Sequence, residues 1–133
     1  MHTLTQQPAA CLRPLRYLFI LFFSVIAGNA TATGVELLVI EQDDCPYCER
    51  FNRDIAPAYP KTSEGRQAPL RQLDLHRPWP TEYANVTPAN FTPTFILIRD
   101  GTEVDRLTGY PGDNYFWFLL REMLEKLQES TPE

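Results

Sequence analysis

Basic residues are scarce in this chain. Lysine and arginine total 12 against 17 aspartates and glutamates in 133 residues, a net charge of −5. A general nucleic-acid binder needs a basic face to meet phosphates, so that class is excluded. Three cysteines are too few for a disulfide-built scaffold. The apolar run Tyr17–Ala27 is 11 residues long, well short of the roughly 20 that cross a bilayer as a helix. No internal repeat is present, and the length suits one domain rather than two. Hydrophobic residues at 44% and charged residues at 22% are ordinary for a globular protein, which excludes disorder as the main state.

The composition shifts along the chain. Residues 1–16 hold no acid and two arginines, Arg13 and Arg16; the apolar run follows, and then small residues ending in Ala30-Thr31-Ala32. A basic start, a short apolar middle and an A-x-A exit read as a cleaved secretory signal peptide over residues 1–32, with a domain over 33–133. An uncleaved membrane anchor is the alternative, since no charge lies between Tyr17 and Val35. Cleavage after Ala32 leaves 101 residues of charge about −7 and removes Cys11. Only Cys45 and Cys48 then remain.

In the remaining chain, Val35–Ile40 is a short apolar run rich in β-branched residues, bounded by Gly34 and the polar Gln42-Asp43-Asp44, and reads as a buried strand. Pro46 suits a first helical turn, where a missing N–H costs nothing. That helix is expected to run to about Ala56, before Pro57 and Pro60. Lys61–Ala68 reads as a polar surface loop and Pro69–Leu75 as a second strand. A short helix is possible around Thr81–Ala84. Thr94–Ile98 is a third strand, Asp100-Gly101 a hairpin turn and Thr102–Leu107 a fourth strand. Asp113 is expected to cap a last helix reaching Glu129, with Phe116, Leu119, Leu120, Met123, Leu124 and Leu127 as its core stripe. The order β-α-β-(loop or α)-β-β-α implies an α/β fold, with a right-handed parallel unit, a closing hairpin and a mixed four-stranded sheet between helices.

Cys45-Pro46-Tyr47-Cys48 lies just after a strand and at a helix start, where Cys-x-x-Cys reads as a redox pair. Free N–H groups and the helix dipole favour a thiolate on Cys45, making it the nucleophile. Cys48 lies three residues on, on the same helix face, placed to resolve a mixed disulfide. A purely structural disulfide is disfavoured, because so small a loop restrains the unfolded chain little. A metal site wants four ligands, and only His76 joins the two thiols once the signal is removed. A second feature is Thr92-Pro93 directly before an apolar strand. On its own it reads as an ordinary trans proline at a strand start.

With these residues in place, the sequence resembles the thioredoxin superfamily. The matching features are Val35–Ile40, Cys45-Pro46-Tyr47-Cys48, Thr92-Pro93, Asp100-Gly101 and Gly109. Cys-Pro-Tyr-Cys is the glutaredoxin form of the active-site motif. Leu107–Asp113 and the aromatic-rich helix after it resemble the small exported thioredoxins found with bacterial sulfur-oxidation (Sox) systems.

The resemblance implies a thioredoxin-like fold with no cofactor beyond the two cysteines. It implies a cis-proline at Pro93 facing the disulfide, Thr92 offering its backbone to an extended substrate segment, Gly109 lining the same groove and Tyr110 at its edge. Three departures stand out. The buried aspartate of thioredoxins is replaced by Val39, their tryptophan before the first cysteine by Asp44, and Gly109-Tyr110 stands where glutaredoxins carry a glutathione-binding Gly-Gly pair.

The expected protein is an exported, periplasmic, monomeric protein-disulfide reductase without nucleic-acid partners. Its substrate is the disulfide of another protein, and its electrons come from a membrane-embedded thiol donor. Asp43 and Asp44 oppose a Cys45 thiolate, while Arg50 and Arg53 lie further along the helix, which favours the reducing direction. The alternatives are a glutathione-linked oxidoreductase, and a metallochaperone or redox-sensing binding module using the same thiols.

Overall fold

Four consecutive residues of the first strand, Leu37 to Ile40, are buried, and they feed two different cores. The structure, a computed structural model, describes residues 34–129. The expected signal peptide, its cleavage site and Cys11 lie outside the described residues. Strand β1 spans Val35–Glu41. Its alternation sends Leu37 and Val39 to one face of the sheet and Leu38 and Ile40 to the other. A strand covered on both faces reads as an unbroken apolar run.

Strand β2, Leu70–Asp74, pairs parallel to β1, with Leu37 opposite Leu70. Strand β3, Thr94–Arg99, lies antiparallel on the other side of β1, and β4, Thr102–Thr108, antiparallel to β3. The sheet order is β2-β1-β3-β4, the mixed four-stranded sheet that the sequence implies. Asp100 and Gly101 turn the β3–β4 hairpin with φ of 51° and 76°. Both angles are the positive values that a two-residue hairpin of this hand needs.

Helix α1, Pro46–Asp54, stops two residues short of Ala56. The chain keeps turning, with Ile55 and Ala56 N–H both donating to the Phe51 carbonyl. Lys61–Ala68, expected as a loop, instead holds helix α2, Ser63–Gln67, and a one-turn 3-10 helix, Tyr59–Lys61, leads into it. Thr62 caps α2: its Oγ1 accepts from Gly65 N–H at 3.0 Å and donates to the Tyr59 carbonyl at 2.7 Å. Gly65 is required there, since a Cβ would come within 1.9 Å of the Tyr59 carbonyl oxygen.

Helix α3, Asp113–Glu129, buries Phe116, Leu120, Met123, Leu124 and Leu127, while Leu119 is only half-buried. Asp113 is its first helical residue rather than its cap. The cap position falls to Gly112, whose carbonyl accepts from Phe116 N–H.

One face of the sheet carries α1 and α3 around an aromatic cluster. The Phe51 ring stands edge-on to Phe95 at 4.8 Å, Phe116 at 5.3 Å and Tyr110 at 5.8 Å. On the other face, Leu38, Ile40, Ile96 and Ile98 are covered by Tyr83, Val86 and Ala89, with Leu73, Leu75 and Trp79 at the margin. That cover holds a single 3-10 turn, Thr81–Tyr83, where the sequence allows a short helix. Tyr83 ties it down by donating its hydroxyl to Glu36 at 2.7 Å.

Candidate active site

The register brings three chain segments to one end of the sheet. Ile40 lies opposite Thr94, and Thr94 opposite Thr108. The carboxyl end of β1, the amino end of β3 and the carboxyl end of β4 therefore open on the same side. The loop after β1 turns through Asp44, whose φ of 56° is left-handed, a conformation that aspartate tolerates better than most residues. Cys45 follows in extended geometry as the cap of α1, with Pro46 at the first helical position.

Cys45 and Cys48 are joined in a disulfide, with their Cα atoms 5.2 Å apart. The Cys48 N–H donates to Cys45 Sγ at 3.2 Å, so the sulfur occupies the place of a capping side-chain oxygen. That is the electrostatic position that favours a thiolate. The two residues are 5% and 3% exposed. Access therefore separates them little, and the helix N-terminus is what distinguishes Cys45. Between them in the chain, Pro46 is exposed and Tyr47 is 56% exposed.

The Thr92–Pro93 peptide bond is cis. The loop that holds it is fastened twice. Thr94, fully buried, donates its hydroxyl to the Phe91 carbonyl at 2.7 Å. Gly109 N–H donates to the Pro93 carbonyl at 2.8 Å. Gly109 has a φ of 86°, and a Cβ there would meet nothing within 4 Å, so backbone conformation rather than space calls for glycine. Thr92 is half-buried, and Phe91 is 68% exposed. Sequence reasoning missed Thr94 and Phe91. A hydroxyl opening an otherwise apolar strand was the available signal.

Tyr110 does not sit at the edge of a groove. It is 5% exposed, its ring packs on Phe51 and Phe116, and its hydroxyl donates to Asp113. Burial first, and then that hydrogen bond, hold its phenol well above the ordinary 10.0. The Arg50 guanidinium stands 6.0 Å from the centre of the ring. Tyr110 thus supports α1 from within the core.

Val39 is fully buried among the core residues of the α1 face. The next residue on that face is Glu41. Its carboxylate accepts from Asn52 of α1 and Gln72 of β2, each at 3.2 Å, and Gln72 also donates to Asn52 at 2.7 Å. The sequence reading missed this cluster; alternation along β1 places only Glu41 on that face. Among the described residues, no group of three or more His, Cys, Asp or Glu side chains comes together as a metal site.

A family model described as a thioredoxin-like domain matches residues 27–124. Among solved structures, the periplasmic thioredoxin SoxS from Paracoccus pantotrophus, in its reduced form, is 42% identical with a TM-score of 0.68. The alignment covers 70% of this chain and 98% of that one. A thioredoxin-fold protein from Helicobacter pylori, 20% identical with a TM-score of 0.55 over 77% of this chain and 76% of that one, shows the fold alone. A "Disulfide bond formation protein" of Brevibacillus choshinensis is 29% identical over 83 residues, which is 60% of this chain. The match spans 65% of that relative's length.

Proposed function

The chain belongs to the thioredoxin-like family of thiol–disulfide oxidoreductases, its redox group being its own pair of cysteines, and from that premise we propose that it is an exported protein-disulfide reductase. The observation that carries the reading is the Cys45–Cys48 disulfide capping α1 at the sheet end where the Phe91–Pro93 loop and Gly109 also emerge.

In the reduced protein, the Cys45 thiolate attacks one sulfur of a substrate disulfide. A bond forms between the two sulfurs, and the other substrate sulfur leaves as a thiolate that takes a proton from solvent. Cys48 gives its proton to water, and its sulfur attacks Cys45. The second substrate sulfur leaves, and two electrons have passed to the substrate. The Cys45–Cys48 disulfide is then re-reduced by a thiol donor in the membrane. An extended segment of the substrate lies along the backbone of Thr92, against Pro93 and Gly109, and the protein works as a monomer.

Residues 1–32 act as a cleaved signal and residues 33–133 form the exported domain. Kinship with a periplasmic thioredoxin supports this. N-terminal sequencing of exported protein is expected to begin at Thr33, and retention of Cys11 would contradict cleavage.

The reducing direction rests on charge. Asp43 and Asp44 precede Cys45, Glu49 lies in the first turn of α1, and among the described residues none of the three is in an ion pair. Negative neighbours disfavour the thiolate, and a less favoured thiolate makes a more stable disulfide. The name of the Brevibacillus relative points to the opposite, oxidising direction of the same exchange. The test is to reduce the protein and offer insulin, a glutathione mixed disulfide, and Cu(I) or Zn(II). Reduction of insulin supports the proposal. Turnover of the glutathione adduct alone, or metal binding without exchange, contradicts it.

A further inference from the structure

The surface around the disulfide combines two features that the exchange chemistry does not need. Tyr47 and Phe91 are two of the four large hydrophobic side chains that stand strongly exposed among the described residues, and both belong to segments at the disulfide end of the sheet. Exposed aromatics held on fixed backbone are what protein interfaces use as contact area. Phe91 is held in this way, through its carbonyl and Thr94.

The second feature is unbalanced charge. Asp43, Asp44 and Glu49 all lie within four residues of Cys45, and the arginines that follow on α1 do not neutralise them. Arg50 stands over the Tyr110 ring at 6.0 Å, and Arg53 pairs with Asp54 at 2.8 Å. Beside Asp43, an open cleft between the ends of β1 and β2 is lined by two further carboxylates, Glu41 and Asp74. The amides of Asn52 and Gln72 engage Glu41, and Arg77 approaches Asp74 at 3.7 Å. Asp43 also lines the cleft and is in no ion pair among the described residues.

We infer that this face selects a cysteine-bearing polypeptide segment with lysine or arginine beside its cysteine and an apolar side chain nearby. The apolar group packs on Tyr47 and Phe91, and the basic groups meet Asp43, Asp44 and Glu49 and enter the cleft behind Asp43. The inference rests on the reading of the protein as a protein-disulfide reductase and adds the class of segment it accepts. Exposed charge pairs each contribute little to affinity, but several of one sign beside a reaction centre steer encounter and raise its rate.

The test uses reduced protein in single turnover and three peptides of one length. Each carries a leucine and one cysteine blocked as a mixed disulfide with thionitrobenzoate, with lysines, serines or glutamates on both sides of the cysteine. Attack by Cys45 on the peptide sulfur breaks the bond to thionitrobenzoate, whose colour reports the rate. Cys48 then releases the peptide as a thiol. The lysine peptide is expected to react about tenfold faster than the glutamate peptide at low ionic strength. The advantage should shrink to about twofold at about 0.5 M salt.

The triple variant D43N/D44N/E49Q, checked for folding by its thermal midpoint, should bring the ratio close to one. Should it not fold, the salt dependence of the unaltered protein still decides. Equal rates for the two charged peptides, an inverted order, or a preference that salt leaves untouched would overturn the inference. No reaction with any of the three would overturn the reductase reading beneath it.

Discussion

The hydroxyl of Thr94 donates to the carbonyl of Phe91 at 2.7 Å, bridging the two residues that flank Thr92 and Pro93. Thr94 is the one buried polar, non-aromatic side chain among the described residues, and it opens β3 at the point where the strand meets the candidate site. The bond closes the loop over its own peptide units, and the bond from Gly109 N–H to the Pro93 carbonyl closes it from the side of β4.

Replacing Thr94 with valine keeps the shape and removes the donor. The loss is expected to be about 1 kcal/mol of stability in denaturant unfolding. It should also raise KM for a protein substrate while leaving the alkylation rate of Cys45 unchanged, and Thr94→Ser should restore KM. An unaltered KM would show that the bond does not position the loop.

The roles of the two cysteines are separable by trapping. Cys48→Ser leaves a nucleophile with no resolver, so it should accumulate mixed disulfides with partner proteins on non-reducing gels. Cys45→Ser should accumulate far fewer. The reverse pattern would exchange the roles of Cys45 and Cys48.

Alkaline pH should expose the burial of Tyr59. Its ring is fully buried and its hydroxyl donates to the Ala68 carbonyl at 2.8 Å. Burial first, and then the charge of Glu64, hold its phenol well above the ordinary 10.0. The folded state thus keeps a proton that the unfolded chain releases, so this contribution is complete below about pH 10 and is lost as the pH rises further. Tyr59→Phe should be less stable at neutral pH and should show a shallower loss above pH 10, measured by urea unfolding across the range. An identical slope in both proteins would contradict the assignment.

Much of this was legible in the residues, for identifiable reasons. Strands β1 and β3 announce themselves because burial on both faces leaves unbroken apolar runs, Leu37–Ile40 and Phe95–Ile98. Asp100-Gly101 and the Cys45–Pro46 helix start follow from local backbone chemistry. What stayed hidden depends on chain segments meeting. Helix α2 has no apolar stripe; Thr62 and the close approach of Gly65 to Tyr59 hold it instead. Tyr110 reads as a loop residue until Phe51 and Phe116 close around it. Asp113 is drawn from the cap position into the first turn of α3, where Tyr110 donates to it. The Glu41–Asn52–Gln72 cluster joins β1, α1 and β2, and no one segment displays it.

The central claim is that Cys45 and Cys48 form a redox pair poised to reduce. The equilibrium potential of that pair against glutathione, measured alongside its redox state in cells, tests the claim most directly. A Cys-Pro-Tyr-Cys pair with unpaired carboxylates beside its nucleophile is expected at about −200 to −230 mV, the range of glutaredoxins, and reduced in cells. A potential of about −120 mV with the pair found oxidised would make the protein an oxidant and contradict the account.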